Sequence, residues 1–233
     1  AGKVAADWQS GENKGLVTTS VVSFIVRKGN PKGIETWADL LKPGIEVVTP
    51  SPQTSGAAKW NLLAAYGQAA GGENDEAAGL AYVEKLLADH VEVQPKSGRE
   101  ALQTFLSGDA DVLLSYEYEA TTAQKQGEEL DYVVPDDTIE IEIDIAATTT
   151  ASDAGKRFLD YVLSKPAQER FADWGYRPVN REVLAANRSK FPTPSGLFTI
   201  ADVGGWKKVN DDLFDPQAGK ITKLEEKAGL GGE

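Results

Sequence analysis

The feature that most constrains the fold of this sequence is the alternation of strand-like and helix-like segments between residues 21 and 116. Residues 21–26 are β-branched and aromatic, which predicts a buried strand, and further strand-like segments occupy residues 45–49, 90–94 and 112–116. Helix-like segments with apolar residues at helical spacing lie between them, and the connecting loops are short. This order is typical of right-handed βαβ units, so the sequence predicts an α/β fold with mostly parallel sheets.

The pattern changes after residue 116. Residues 139–145 alternate apolar and acidic side chains, which predicts a strand with one solvated face. Ser152 is placed to cap a helix, and a second helix is expected near Pro166, because proline suits the first helical turn. The chain therefore continues with further strands and helices, and no internal repeat is found.

Charge and composition exclude several classes of function. The chain carries 24 Lys and Arg against 36 Asp and Glu, a formal net charge of −12, whereas a general nucleic-acid binder needs a basic face. The same charge argues against docking on an anionic membrane. With no cysteine and a single histidine, disulfides and thiolate sites are impossible, and there is little room for a histidine-based catalytic or metal site.

Two junctions between a loop and a helix stand out as candidate anion sites. The first is Ser55-Gly56-Ala57, and the second is Gly98-Arg99 after Ser97. Both follow a predicted strand and open a predicted helix, whose N-terminus offers unpaired N–H groups and a partial positive charge. Capping of the helix by Ser55 or Ser97 explains either junction alone. Because two such junctions are expected in neighbouring loops, helix capping and anion binding both stay open as interpretations.

Acidic residues suggest two further sites, each with a simpler explanation. Glu140, Glu142 and Asp144 could form a cation site, but alternate residues of a strand share one face, and a solvated face accounts for them. Asp109 and Asp111 could act as a catalytic acid pair. In a turn before a strand, aspartate more commonly serves local hydrogen bonding.

Aromatic residues suggest a third alternative. Tyr116 and Tyr118 are expected on one face of a strand, where two phenolates could bind ferric iron. His90, next to Asp89 at the end of a helix, is expected to be solvated.

Several distinctive motifs are distributed along the chain. They are FIVRKGNPKGI at 24–34, WADL at 37–40, KPG at 42–44, the segment 49–62, GYRP at 175–178, LFTI at 197–200 and GGW at 204–206. Together these motifs resemble those of the periplasmic sulfate-binding proteins of ABC importers, and the resemblance runs from about Asp7 to Trp206, almost the whole chain.

The resemblance implies a two-lobed, type II periplasmic-binding-protein-like fold with the anion in the cleft between the lobes. It divides the chain into a partial first lobe (residues 1–18 and 118–190), a complete βα lobe (residues 19–117) and an unassigned segment (residues 191–233). The part of the first lobe that these proteins carry at their N-terminus has no counterpart in the sequence, so we expect that lobe to be incomplete.

The same resemblance implies the site and its function. Ser55, Gly56 and Ala57 would contact sulfate through hydroxyl and N–H groups, Gly98 would add a further N–H, and Arg99 would support the loop. Tyr116 stands where these proteins usually have a tryptophan that donates to sulfate, which leaves the exact oxyanion open.

The expected function is therefore binding of sulfate or a similar tetrahedral oxyanion and its delivery to the membrane permease of an ABC importer, from a periplasmic or cell-surface position. No catalytic group, cofactor, metal or nucleic-acid partner is expected. The alternatives are a protein that binds ferric iron or another oxyanion and, less favoured, a hydrolase using Asp109 and Asp111.

Overall fold

The computed structural model describes residues 3–230. Its strands are β1 (Leu16–Arg27), β2 (Val47–Val48), β3 (Val112–Tyr116), β4 (Leu130–Val133), β5 (Asp137–Asp144), β6 (Arg177–Pro178) and β7 (Gly196–Phe198). Its α-helices are α1 (Gly56–Ala70), α2 (Glu76–His90), α3 (Gly98–Ser107), α4 (Glu117–Lys125), α5 (Asp153–Val162), α6 (Lys165–Asp173), α7 (Arg181–Ala186), α8 (Gly205–Asp212) and α9 (Lys220–Lys227). Short 3-10 helices span Trp37–Leu41 and Ile200–Val203.

Strand β1 organises the sheet. It is 12 residues long, and its side chains from Val21 to Ile25 are fully buried. It runs antiparallel to β3, β4 and β6, whereas β2–β3 and β5–β7 are parallel pairs. The α/β class is confirmed, but the sheet is mixed and the expectation of mostly parallel pairing is corrected. The reason is that β1 runs opposite to β3, a strand of the βα region that lies beside it.

Contacts divide the chain into two compact units. Unit 1 comprises the residues up to Ser20 together with Ile141–Thr193, and unit 2 comprises Val21–Glu140 together with the residues from Pro194 onward. Unit 2 includes α4 and β4, because β4 pairs with β1 between Phe24 and Arg27. The lobe boundaries expected from the sequence, at 18/19 and 117/118, stay predictions.

Unit 1 is held by a buried glutamine. The Nε2 atom of Gln168 on α6 donates to the carbonyls of Val17 and Val162, each at 2.9 Å, and its Oε1 atom accepts from the N–H of Val179 at 2.8 Å. As expected from the sequence, Ser152 caps α5 by accepting from the N–H of Gly155.

Unit 2 contains the βα region. Helix α1 is fixed to the sheet by the buried Asn61, whose Nδ2 atom donates to the carbonyl of Leu114 on β3 at 2.8 Å and to Thr49 Oγ1 at 3.2 Å. Helix α1 also packs against α2, and at this contact Gly79 of α2 lies against the ring of Tyr66 of α1. The helices predicted between the strands are confirmed at α1, α2 and α3, and Thr36 is the N-cap of the first 3-10 helix.

Two local expectations in unit 2 are wrong. The strand predicted at residues 90–94 does not form, because α2 continues to His90 and residues 91–94 are not in a strand, and His90 is buried rather than solvated. Its Nδ1 atom lies 3.0 Å from the carbonyl oxygen of Ile45, and this hydrogen bond holds the ring in the buried position. Helix α4 was not anticipated, because Tyr118, Thr121 and Thr122 are weak helix formers and give no clear helical pattern.

Among residues 3–230, no helix has the length and apolar character needed to cross a bilayer.

Gly79 provides a test of the packing between α1 and α2. A Cβ atom there would lie 2.6 Å from two ring atoms of Tyr66 and 3.0 Å from the Cβ of Ala70. We expect Gly79→Ala to lower the free energy of unfolding by about 1–3 kcal/mol, measured by urea titration followed by circular dichroism, because the helices are forced apart. Gly155→Ala is the control, since its Cβ would lie 3.7 Å from its nearest neighbours. Equal effects of the two substitutions would contradict the packing described here.

Candidate anion site

The first junction, at the start of α1, leaves the hydroxyl of Ser55 available. Ser55 is the N-cap residue with extended backbone angles (φ −122°, ψ 122°), yet its side chain makes no capping hydrogen bond. Its own N–H donates to the carbonyl of Ser51 at 2.9 Å, which fixes the loop. The N–H groups of Gly56 and Ala57 begin the helix, where no carbonyl of a preceding turn exists to accept from them. The junction therefore presents a hydroxyl and backbone donors together.

The second junction, at the start of α3, behaves differently. The hydroxyl of Ser97 accepts from the N–H of Glu100 at 3.2 Å, and the Glu100 carboxylate accepts from the N–H of Lys96 at 3.1 Å. Capping, the alternative left open for both serines, is therefore what Ser97 does. What this junction can still offer a ligand is the backbone at Gly98, the first residue of α3.

The two junctions are neighbours in space. The Oγ1 atom of Thr54 donates to the carbonyl of Lys96 at 2.8 Å, which ties the first loop to the second. A Cβ atom built on Gly98 would lie 3.8 Å from the Cβ of Ala57. Two helix N-termini, each carrying a partial positive charge, thus converge on one region of unit 2.

An open cavity of about 610 Å³ lies at the first junction. Of the residues predicted from the sequence, Ser55, Gly56, Ala57 and Tyr116 line it. Gly98 is not a lining residue, but a Cβ atom built on it would lie 3.8 Å from the Cβ of Ala57, which lines the cavity.

Arg99 stands apart from the other predicted residues. It is exposed, it does not line the cavity, and no hydrogen bond or ion pair of its side chain is found within residues 3–230. Its expected support of the loop stays a prediction.

The cavity also has a wall that sequence reasoning missed. Trp60 and Trp206 meet edge to face there, with ring centroids 4.8 Å apart. Lys59 lines the same wall, and its Nζ atom donates to Asn210 Oδ1 at 2.7 Å. Lys59 lies three residues after Gly56, so helical spacing alone places it above the junction. The position of α8, which carries Trp206 and Asn210, could not be read from the sequence.

Tyr116 closes the site at the end of β3. Burial, and the nearby Tyr118 and Glu119, raise the pKa of its phenol well above the usual value, so the group stays neutral and can donate. Tyr118 does not share a strand with it: β3 ends at Tyr116 and Tyr118 lies in α4, with ring centroids 5.6 Å apart. This geometry does not favour the paired phenolates expected of a ferric-iron site.

A half-buried acid stands next to Gly98. The Oε1 atom of Glu119 would lie 3.4 Å from a Cβ atom on Gly98, and the other carboxylate oxygen accepts from the hydroxyl of Ser115. Burial raises the pKa of Glu119, because the charged form loses its hydration. Glu119 therefore limits the space beside the start of α3.

The other acidic candidates have structural roles. The carboxylate of Asp111 accepts from the N–H of Glu46 at 3.1 Å and faces Lys32 at 3.7 Å, which is the local bonding expected of a turn. Within residues 3–230, no group of three or more histidine, aspartate or glutamate side chains could hold a metal ion.

Comparison with known proteins gives concordant results. Residues 1–177 match the family model described as bacterial extracellular solute-binding protein. A sulfate-binding protein of Synechococcus elongatus is 38% identical over 92% of this chain and 63% of its own length, and a thiosulfate-binding protein of Escherichia coli is 34% identical over 95% of this chain and 68% of its own. The structure of the sulfate-binding protein SubI from Mycobacterium tuberculosis superposes with a TM-score of 0.87 at 45% identity, covering 92% of this chain and 75% of that chain. The chain thus spans less than two thirds of the length of the Synechococcus protein.

The different use of the two serines can be tested through stability. Ser97→Ala removes a capping hydrogen bond, and we expect it to lower the free energy of unfolding by about 1 kcal/mol. Ser55→Ala removes no such bond and is expected to leave the free energy of unfolding nearly unchanged. Urea titration of both variants in sulfate-free buffer makes the comparison. A larger loss for Ser55→Ala than for Ser97→Ala would contradict the assignment.

Proposed function

This chain belongs to the bacterial extracellular solute-binding protein family, and we propose that it binds sulfate, or a closely similar tetrahedral oxyanion, for uptake by an ABC importer. The observation that carries the proposal is the convergence of the α1 and α3 N-termini beside a serine hydroxyl, Ser55, that its own helix does not use. The sulfate- and thiosulfate-binding relatives support the choice of ligand.

The proposed contacts consist of donors. Ser55 would donate its hydroxyl hydrogen, Gly56, Ala57 and Gly98 would donate backbone N–H groups, and the neutral phenol of Tyr116 would add a fifth donor. Hydrogen bonds from N–H groups to an anionic oxygen are stronger than those between neutral groups. Such a site needs no ion pair with the ligand, which is compatible with the net charge of −12.

A donor-only site also discriminates between oxyanions. Sulfate is fully ionised at neutral pH, so each of its oxygens can accept. Phosphate keeps at least one proton near neutrality, and that proton would face a donor without an acceptor. The hydroxyls of Ser55 and Tyr116 are the exceptions among the proposed contacts, because each can accept as well as donate.

The biological role follows from the family. Solute-binding proteins capture a ligand and hand it on, so we propose that this chain performs no catalysis, acts outside the cytoplasm in the periplasm or at the cell surface, and delivers its anion to a membrane permease. Its relatives in Synechococcus elongatus and Escherichia coli are named a sulfate-binding protein and a thiosulfate-binding protein. Thiosulfate is therefore the second candidate ligand.

Ser55→Ala tests the site directly. We expect it to weaken sulfate binding by about 1–3 kcal/mol, or roughly 5- to 150-fold, because a charge-assisted donor is lost. Isothermal titration calorimetry with sulfate gives the dissociation constants. Ser97→Ala is the matched control and should bind as the unaltered protein does, since its hydroxyl serves only the helix. Unchanged affinity in Ser55→Ala would remove Ser55 from the site.

Ligand choice provides a second test. Calorimetry at neutral pH should give an affinity for sulfate at least about tenfold higher than for phosphate, because an unpaired donor costs about 1–3 kcal/mol. Tyr116→Phe removes one of the two proposed contacts that can accept, and it should weaken phosphate no less than sulfate. Phosphate bound as tightly as sulfate would refute the donor-only site, and tighter binding of thiosulfate would identify that anion as the ligand.

A further inference from the structure

Helix α9 carries a buried carboxylate that the proposed site does not use. Glu225 is 1% exposed, and its neighbour on the same helix face, Thr222, is 5% exposed. Burial of a carboxylate without a cationic partner is costly, and it raises the pKa of Glu225. We therefore expect the Glu225 carboxylate to have a specific role in positioning the side chains that surround it.

The first contact of Glu225 leads to the α1 junction. The Nε2 atom of Gln53 lies 3.5 Å from Glu225 Oε2 and 3.3 Å from Thr222 Oγ1. Gln53 stands two residues before Ser55, and it lines the same cavity. The loop that presents Ser55 is therefore attached to α9 through one amide.

The second contact leads to the α3 junction. The side-chain amide of Gln94 is buried beside the Glu225 carboxylate and lowers the pKa of that group, although neither amide atom makes a hydrogen bond of good geometry within residues 3–230. Gln94 precedes Pro95, whose carbonyl accepts from the N–H of Ser51 at 2.9 Å. One carboxylate therefore stands under both loops at the point where they are hydrogen-bonded to each other.

The lysines at the two ends of α9 form ion pairs with another helix. Lys220 pairs with Glu76 and Lys227 pairs with Glu84, and both of these partners lie on α2. The contacts that lower the pKa of Glu225, against the effect of burial, come instead from the neutral amides of Gln53 and Gln94. Different side chains therefore attach α9 to α2 and hold it against the two loops. Mutations can change one set of contacts without changing the other.

We propose that Glu225 is a positioning residue for the anion site, which holds the loops of Ser55 and Gly98 at the spacing that one oxyanion requires. The inference rests on the proposed function. Without the carboxylate, Gln53 loses its acceptor and Gln94 loses the carboxylate beside it, and the two loops can separate or turn. Binding must then restore the spacing, so part of the binding free energy is lost.

Sulfate calorimetry on matched variants tests this role. We expect Glu225→Ala to weaken sulfate binding at least about tenfold, equivalent to about 1.4 kcal/mol. Glu225→Gln keeps an acceptor of the same shape and should bind within about threefold of the unaltered protein, a rescue not expected if only charge mattered. Lys227→Ala, which removes a solvent-exposed pair on the same helix, should not change affinity. Gln94→Ala approaches the same contact from the loop, and it should weaken binding if Glu225→Ala does not fold.

Hydrogen exchange in the absence of anion keeps the test independent of the ligand. Glu225→Ala should speed exchange of backbone amides in both loops, residues 51–57 and 94–98, while Lys227→Ala should not. Unaltered exchange in both loops, or sulfate affinity equal to that of the unaltered protein, would overturn the positioning role. If the unaltered protein bound no sulfate but the exchange pattern held, the proposed function would fail while the structural link between Glu225 and the loops would stand.

Discussion

The candidate site depends on the hydrogen bonding that joins two loops of unit 2. The Oγ1 atom of Thr54 donates to the carbonyl of Lys96, and the N–H of Ser51 donates to the carbonyl of Pro95. These bonds keep the first residues of α1 and α3 side by side. One helix N-terminus offers about half a positive charge, and two such ends facing one region offer a dianion a field that no single loop provides.

Much of this arrangement was predictable from the sequence. The alternation over residues 21–116 gave the helices that carry the junctions, and the Ser-x-x-Glu spacing from Ser97 to Glu100 contains the signal for capping that Ser55 lacks. The direction of β1 was not predictable, because an apolar run specifies a buried strand but not the neighbour it runs against. The wall formed by Trp206 was missed for a related reason, since contacts between residues far apart in sequence leave no local pattern.

Electrostatics connect the site with the rest of the molecule. The net charge of −12, which argues against nucleic acid and anionic membranes as partners, is compatible with an anion bound by local dipoles, because such contacts act over a few ångströms. Two acids nevertheless stand close by: the half-buried Glu119 beside Gly98 and the buried Glu225 beneath both loops, each with a pKa raised by desolvation.

The central claim is that both helix N-termini serve one ligand. An NMR titration with sulfate, following the backbone amides of Gly56, Ala57 and Gly98, tests it most directly. The account predicts that all three amide signals shift along a single binding curve and saturate together. Shifts confined to the start of α1, with Gly98 unmoved at saturation, would contradict a shared site.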